Sequence, residues 1–118
     1  MNFKLSPMIA ALLFLSVSVA RADSFFVTNP GINAITKYDD NGTGTLFTNS
    51  YLNGPTGIAL DASGNVYVST KSNTIEKFAP DGSSLGVFAS SGLNNPNGLV
   101  FDRGGNLYVA NFDGNTVE

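Results

Sequence analysis

Between Gly54 and Ser90 the chain alternates short apolar runs with tight polar breaks. Four runs are rich in β-formers: Gly57–Asp61 (GIALD), Asn65–Thr70 (NVYVST), Thr74–Ala79 (TIEKFA) and Ser84–Ser90 (SLGVFAS). Val, Ile, Phe, Tyr and Thr suit a pleated surface, whereas the breaks hold Gly, Asn, Asp and Pro. Two of the breaks, Ser63-Gly64-Asn65 and Asp81-Gly82, carry residues that tolerate the backbone angles of hairpin turns. The pattern predicts a four-stranded antiparallel meander. Its strands are apolar on both sides: Ile58 and Leu60 point one way and Ala59 the other, and Val66 and Val68 oppose Tyr67. Such a sheet needs a neighbour on each face.

The same pattern recurs. Pro96, Gly98, Asp102, Gly105-Asn106 and Tyr108-Val109 each lie 41 residues after Pro55, Gly57, Asp61, Gly64-Asn65 and Tyr67-Val68. Upstream, Phe26-Val27 lies 41 residues before Tyr67-Val68, and Phe47 lies 41 before Phe88. Ile35-Thr36-Lys37-Tyr38 lies 40 before Ile75-Glu76-Lys77-Phe78. A four-strand unit repeating at this interval predicts an all-β fold of β-propeller blades. The predicted units are 23–53, which lacks a first strand, 54–94, which is whole, and 95–118. The last residues, Asn115-Thr116-Val117-Glu118, match Asn73-Thr74-Ile75-Glu76, partway through a third strand. An incomplete ring of between two and three blades is therefore expected, a fragment or an incomplete assembly, since a ring takes four or more blades. Its open blade faces would leave large side chains exposed, at about 1.5–3 kcal/mol each, and invite self-association.

The pattern Pro-x-Gly-Ile-Ala-x-Asp-x-x-Gly-Asn-x-Tyr-Val, followed by Ile-x-Lys-Phe-x-x-Asp-Gly, resembles the NHL repeat. Pro55, Gly57, Ile58, Asp61, Gly64, Asn65, Tyr67, Val68, Ile75, Lys77, Phe78, Asp81 and Gly82 carry the resemblance. It implies a propeller, usually of about six blades, and no single activity. Trp is absent, so the Trp-Asp class of propeller is not supported.

The N-terminus reads differently. Lys4 precedes the apolar run Met8–Val19, and Ala20-Arg21-Ala22 fits the small-x-small rule of signal peptidase. The run is short for a membrane span, which needs about 20 residues. A secretory signal peptide over 1–22 is expected, with cleavage between Ala22 and Asp23, secretion of the remainder and no stable membrane insertion. Lys4 and Arg21 would be lost with it, leaving nine acids against four bases.

Composition narrows the chemistry. The 118 residues are 42% hydrophobic and 13% charged, with 13 Gly, which argues for an ordered, turn-rich chain. The net charge is −3 and no basic patch exists, so nucleic-acid binding by phosphate neutralisation is not expected. There is no Cys, hence no disulfide, thiolate nucleophile or Cys-based metal site. There is no His, hence no imidazole base or ligand from this chain. No cofactor, metal or catalytic residue is expected.

Successive turns of a meander alternate between two rims. One rim takes 39–42, 62–64, 80–82 and 103–105, short repetitive turns whose Asp and Gly are turn-formers first. Asp61 and Asp102 recur at one blade position, which predicts a structural role at the strand end. Asp39-Asp40-Asn41-Gly42-Thr43 lacks the spaced ligands of a calcium loop, although Asn41-Gly42-Thr43 is formally a glycosylation sequon. Gly104-Gly105 precedes no helix that would cradle phosphate.

The other rim carries the loops 29–33, 71–73 and 111–115 and the blade-to-blade loops 51–55 and 91–97. These vary in length and content, as binding loops on a rigid repeat do. Candidate ligand-binding residues there are Asn29, Lys71, Asn94, Asn97, Asn111, Phe112 and Asp113. Their amides could bond sugar or peptide and Phe112 could stack; the competing reading is that Asn serves left-handed and Asx-turn geometry. The expected function is a secreted scaffold that binds a protein or glycan and does no catalysis of its own. The alternative is part of a hydrolase or lyase resembling the gluconolactonase or streptogramin-lyase propellers, with its active site supplied by further blades. A surface-layer or matrix component is a third reading.

Overall fold

The computed structural model describes residues 24–118, so the proposed signal peptide and its cleavage point between Ala22 and Asp23 lie outside the described residues. The described chain is all-β, with three antiparallel sheets in sequence. The first holds β1 (Phe25–Asn29), β2 (Ala34–Tyr38) and β3 (Gly44–Thr48). The second holds β4 (Pro55–Leu60), β5 (Val66–Thr70), β6 (Ile75–Phe78) and β7 (Ser84–Ala89), paired in that order. The third holds β8 (Pro96–Phe101), β9 (Leu107–Asn111) and β10 (Thr116–Val117). These are blades of an incomplete propeller, and the central blade is the predicted four-stranded meander.

The leading strands start earlier than their apolar runs do, at Pro55 and Pro96. Pro55 pairs with Thr70, and the register then shifts before Ile58; Pro96 pairs with Asn111, with the same shift before Leu99. Proline has no N–H to give the ladder and is tolerated at a strand start or a bulge. The two residues after it bulge out of the pairing. The carbonyls freed there, those of Thr56 and Asn97, accept hydroxyl groups of the preceding blade.

Two cores lie between the blades rather than within them. Ile35, Leu52, Val66, Val68 and Phe78 form one, with Phe26, Phe47 and Ile58 against it. Tyr67, Ile75 and Val109 form the other, with Ala89, Leu93, Leu99, Phe101 and Leu107. Residues on opposite faces of β5 thus serve different interfaces: Val66 and Val68 face the first blade and Tyr67 the third. The alternation within the sequence requires that division, because successive strand residues point to opposite faces. Aromatic rings bridge the blades edge to face, with Phe47 at 6.5 Å from Phe78 and Tyr67 at 4.9 Å from Phe101.

Candidate functional site

The turn rim is built on carboxylates. Asp61 Oδ1 accepts the backbone N–H groups of Ser63 and Asn65, and Oδ2 accepts the Asn65 amide and the Tyr67 hydroxyl, all within 2.9–3.0 Å. Asp102 repeats the arrangement with the backbone N–H and side-chain amide of Asn106 and the hydroxyl of Tyr108, at 2.9–3.1 Å. The left-handed Gly64 and Gly105 (φ 85° and 87°) turn the chain back so that these donors converge. The Asn65 amide, and then the surrounding N–H and hydroxyl donors, hold Asp61 below the usual carboxylate range; the Asn106 amide does the same for Asp102. The Asp102 carboxylate in turn raises Tyr108 above the ordinary phenol value. Asp81 is lowered by the Ser83 hydroxyl. Asp61 and Asp102 accordingly have the strand-end structural role expected of them. Asp39 receives the N–H groups of Asn41 and Thr43 in the same style, which accounts for the acidic run there as a turn.

The opposite rim divides the candidate residues. Asn111 is buried: its amide donates to the carbonyl of Gly92 and to Thr116 Oγ1, and its Oδ1 accepts the N–H of Asn94. Asn29 donates to Thr36 Oγ1. Asn97 offers its carbonyl to Ser69 Oγ, an interblade bond. Lys71 and Phe112 occupy the same blade position, and each donates its backbone N–H to the linker into a leading strand, Lys71 to Asn53 and Phe112 to Asn95. Their side chains are exposed, as are those of Asn94, Asn97 and Asp113. The structure thus gives the amides of Asn29 and Asn111 internal partners and leaves Lys71, Phe112 and Asp113 presented outward.

Sequence reasoning did not single out four residues on this rim. Asn33 and Asn73, both with left-handed φ (52° and 59°), accept at Oδ1 the N–H of Gly54 and of Asn95, each at 2.8 Å. They clasp one blade to the linker of the next. Their signal was the repeated Asn before each third strand. Ile32 and Tyr51 also stand on this rim, 73% and 72% exposed, beside Phe112 at 68%. Ile32 and Phe112 lie in second-to-third-strand loops and Tyr51 in a blade-to-blade loop, so three large apolar side chains face outward from one end of the fold.

Among the described residues no group of three or more His, Cys, Asp or Glu is arranged to hold a metal ion, and no helix is long and apolar enough to cross a membrane. Glu76 is buried on β6 and accepts the hydroxyl of Thr74, which contacts that of Thr70. These contacts make Glu76 part of the sheet's internal bonding.

No known family model matches the chain, and no curated protein sequence does. Solved structures do. A chain in the crystal structure of a nidogen/laminin complex is 27% identical, superposes with a TM-score of 0.70 and covers 80% of this chain. The present chain spans 42% of the length of that chain. What is shown is the propeller-like fold, in an arc that matches part of a larger structure.

Proposed function

We propose that this chain is part of a secreted NHL-type propeller scaffold that binds a protein through the rim carrying Ile32, Tyr51 and Phe112. The carrying observation is the asymmetry of the two ends. One rim is closed by carboxylate-centred turns whose donors and acceptors satisfy one another. The other presents three large apolar side chains on loops of different length and content. Exposed apolar groups that share a rim with exposed polar ones, here Lys71, Asn94 and Asp113, are the pattern of a protein-contact surface. The likeness to a chain solved in a complex with a protein partner supports the reading. The NHL assignment rests on the Pro-x-Gly, Asp-x-x-Gly-Asn-x-Tyr and Asp-Gly spacing. Secretion rests on Lys4, the apolar run over 8–19 and Ala20-Arg21-Ala22; N-terminal sequencing of exported protein is expected to begin at Asp23.

The test is panning of a phage-displayed peptide library on the immobilised chain and on its Ile32→Ser/Tyr51→Ser/Phe112→Ser variant. Peptides enriched by the parent and lost on the variant, with unchanged thermal unfolding, support the rim. Equal enrichment on both contradicts it. Turnover of a lactone by the chain in the presence of calcium would contradict the scaffold reading itself.

A further inference from the structure

The two interblade interfaces are built from equivalent residues, so the third blade shows what its own outer face is made to receive. At the first interface Thr28 Oγ1 donates to the carbonyl of Thr56 at 3.0 Å, and Asn33 Oδ1 accepts the N–H of Gly54. At the second, Ser69 Oγ donates to the carbonyl of Asn97 at 2.8 Å, and Asn73 Oδ1 accepts the N–H of Asn95. The Asn97 carbonyl oxygen sits where a Cβ on Gly57 would be. Each interface therefore has the same parts: an Asn that clasps the incoming linker, and a strand whose first carbonyl after proline enters the preceding blade.

On the third blade these parts recur without an occupant among the described residues. Gly98 stands at the place of Gly57, and the nearest atom to a Cβ there is the Ala110 methyl at 3.9 Å. Asn115 stands at the place of Asn73, with the same left-handed φ, 52° against 59°. Tyr108 is 42% exposed where its equivalent Tyr67 is 4%, and Val117 is 69% exposed where Ile75 is fully buried. Gly98, Leu99, Val100, Tyr108, Ala110 and Val117 line one shallow, almost wholly apolar groove of about 300 Å³.

We infer that this face is a docking site for the leading strand of a further repeat of the same kind, one carrying a Pro-x-Gly segment. The carbonyl after its proline seats against Gly98, its linker N–H donates to Asn115 Oδ1, and its apolar face covers Tyr108 and Val117. Continuity with the two interfaces already present selects this occupant. A second copy is the weaker fit: its first described strand, β1, pairs as a second strand does, and no leading strand precedes it among the described residues. One departure is instructive. Ala110 replaces the hydroxyl of Thr28 and Ser69, so this interface relies on the Asn clasp and apolar contact.

The experiment compares the full chain with the full chain extended after Glu118 by a copy of residues 77–101, which supplies the rest of a blade and one leading strand. Gly98→Ala is made in both. It is expected to leave the melting temperature of the unextended chain unchanged and to lower that of the extended chain by about 4 °C or more. Amide exchange at Gly98 and Tyr108 is expected to slow in the extended chain and to return to its original rate in the variant. Equal tolerance of Ala in both chains, or an extension whose amides exchange as in a free peptide while the parent fold persists, would overturn the inference. So would self-association of the unextended chain that Gly98→Ala abolishes, which would assign the face to a second copy.

Discussion

The Ser69 hydroxyl reaches out of β5 to the carbonyl of Asn97 in the next blade, 2.8 Å away. Ser69 is fully buried and also accepts the N–H of Gly57, and it lies 2.8 Å from the hydroxyl of Thr56. One side chain thus accepts the Gly57 N–H that the bulge after Pro55 sets free, and it ties two blades together by donating to the carbonyl that the bulge after Pro96 sets free. Buried polar groups are costly only when left without partners.

Ser69→Ala removes a donor and an acceptor that are fully buried between two blades. The Asn97 carbonyl and the Gly57 N–H lose a partner, at a cost of about 1–3 kcal/mol. Thr28→Ala, at the half-buried equivalent position, is expected to cost less. Urea unfolding of both variants checks the order.

Acid is expected to loosen the turn rim. Asp61, Asp81 and Asp102 have folded pKa values below the ordinary carboxylate value. A group with a depressed folded pKa contributes stability above its unfolded pKa, about 3.9, and that contribution fades as pH falls through the folded value. The urea midpoint should therefore decline below about pH 4. In an Asp61→Asn/Asp102→Asn variant the decline should be shallower. The groups are exposed, so the effect is modest.

Tyr108 reports the opposite end of the pH scale. Its hydroxyl donates to Asp102 Oδ2, and the neighbouring carboxylate raises its pKa. A raised folded pKa contributes stability below the unfolded value, about 10, that is lost as pH rises through the folded value. In ultraviolet titration Asp102→Asn is expected to bring one tyrosine back toward the ordinary value. An unchanged titration would remove the bond from the account.

Much of the fold was legible because the repeat aligns strand aromatics, turn glycines and prolines at once. The faces of β5 were legible too, since Val66 and Val68 had to oppose Tyr67. The Asp61 and Asp102 clamps could be read as strand-end structure from their recurrence alone. The interblade bonds were not legible. Ser69 reads as one more β-former in NVYVST, and its partner carbonyl carries no side-chain signal. For the same reason the apolar run marks the leading strand from Gly57, whereas the strand begins at Pro55. On the loop rim the Asn residues look alike in sequence. Only the fold separates Asn111, whose amide is spent on Gly92 and Thr116, from exposed Asn94.

The most direct test of face-to-face blade packing is the pair Gly57→Ala and Gly98→Ala in the otherwise unaltered chain, followed by denaturant unfolding. The two glycines occupy the same position in successive blades, but only Gly57 has a neighbouring blade's carbonyl oxygen in the space a methyl would take. The account predicts a loss of about 1–3 kcal/mol for Gly57→Ala from overpacking and a change within about 0.5 kcal/mol for Gly98→Ala. Equal effects at the two positions would contradict it.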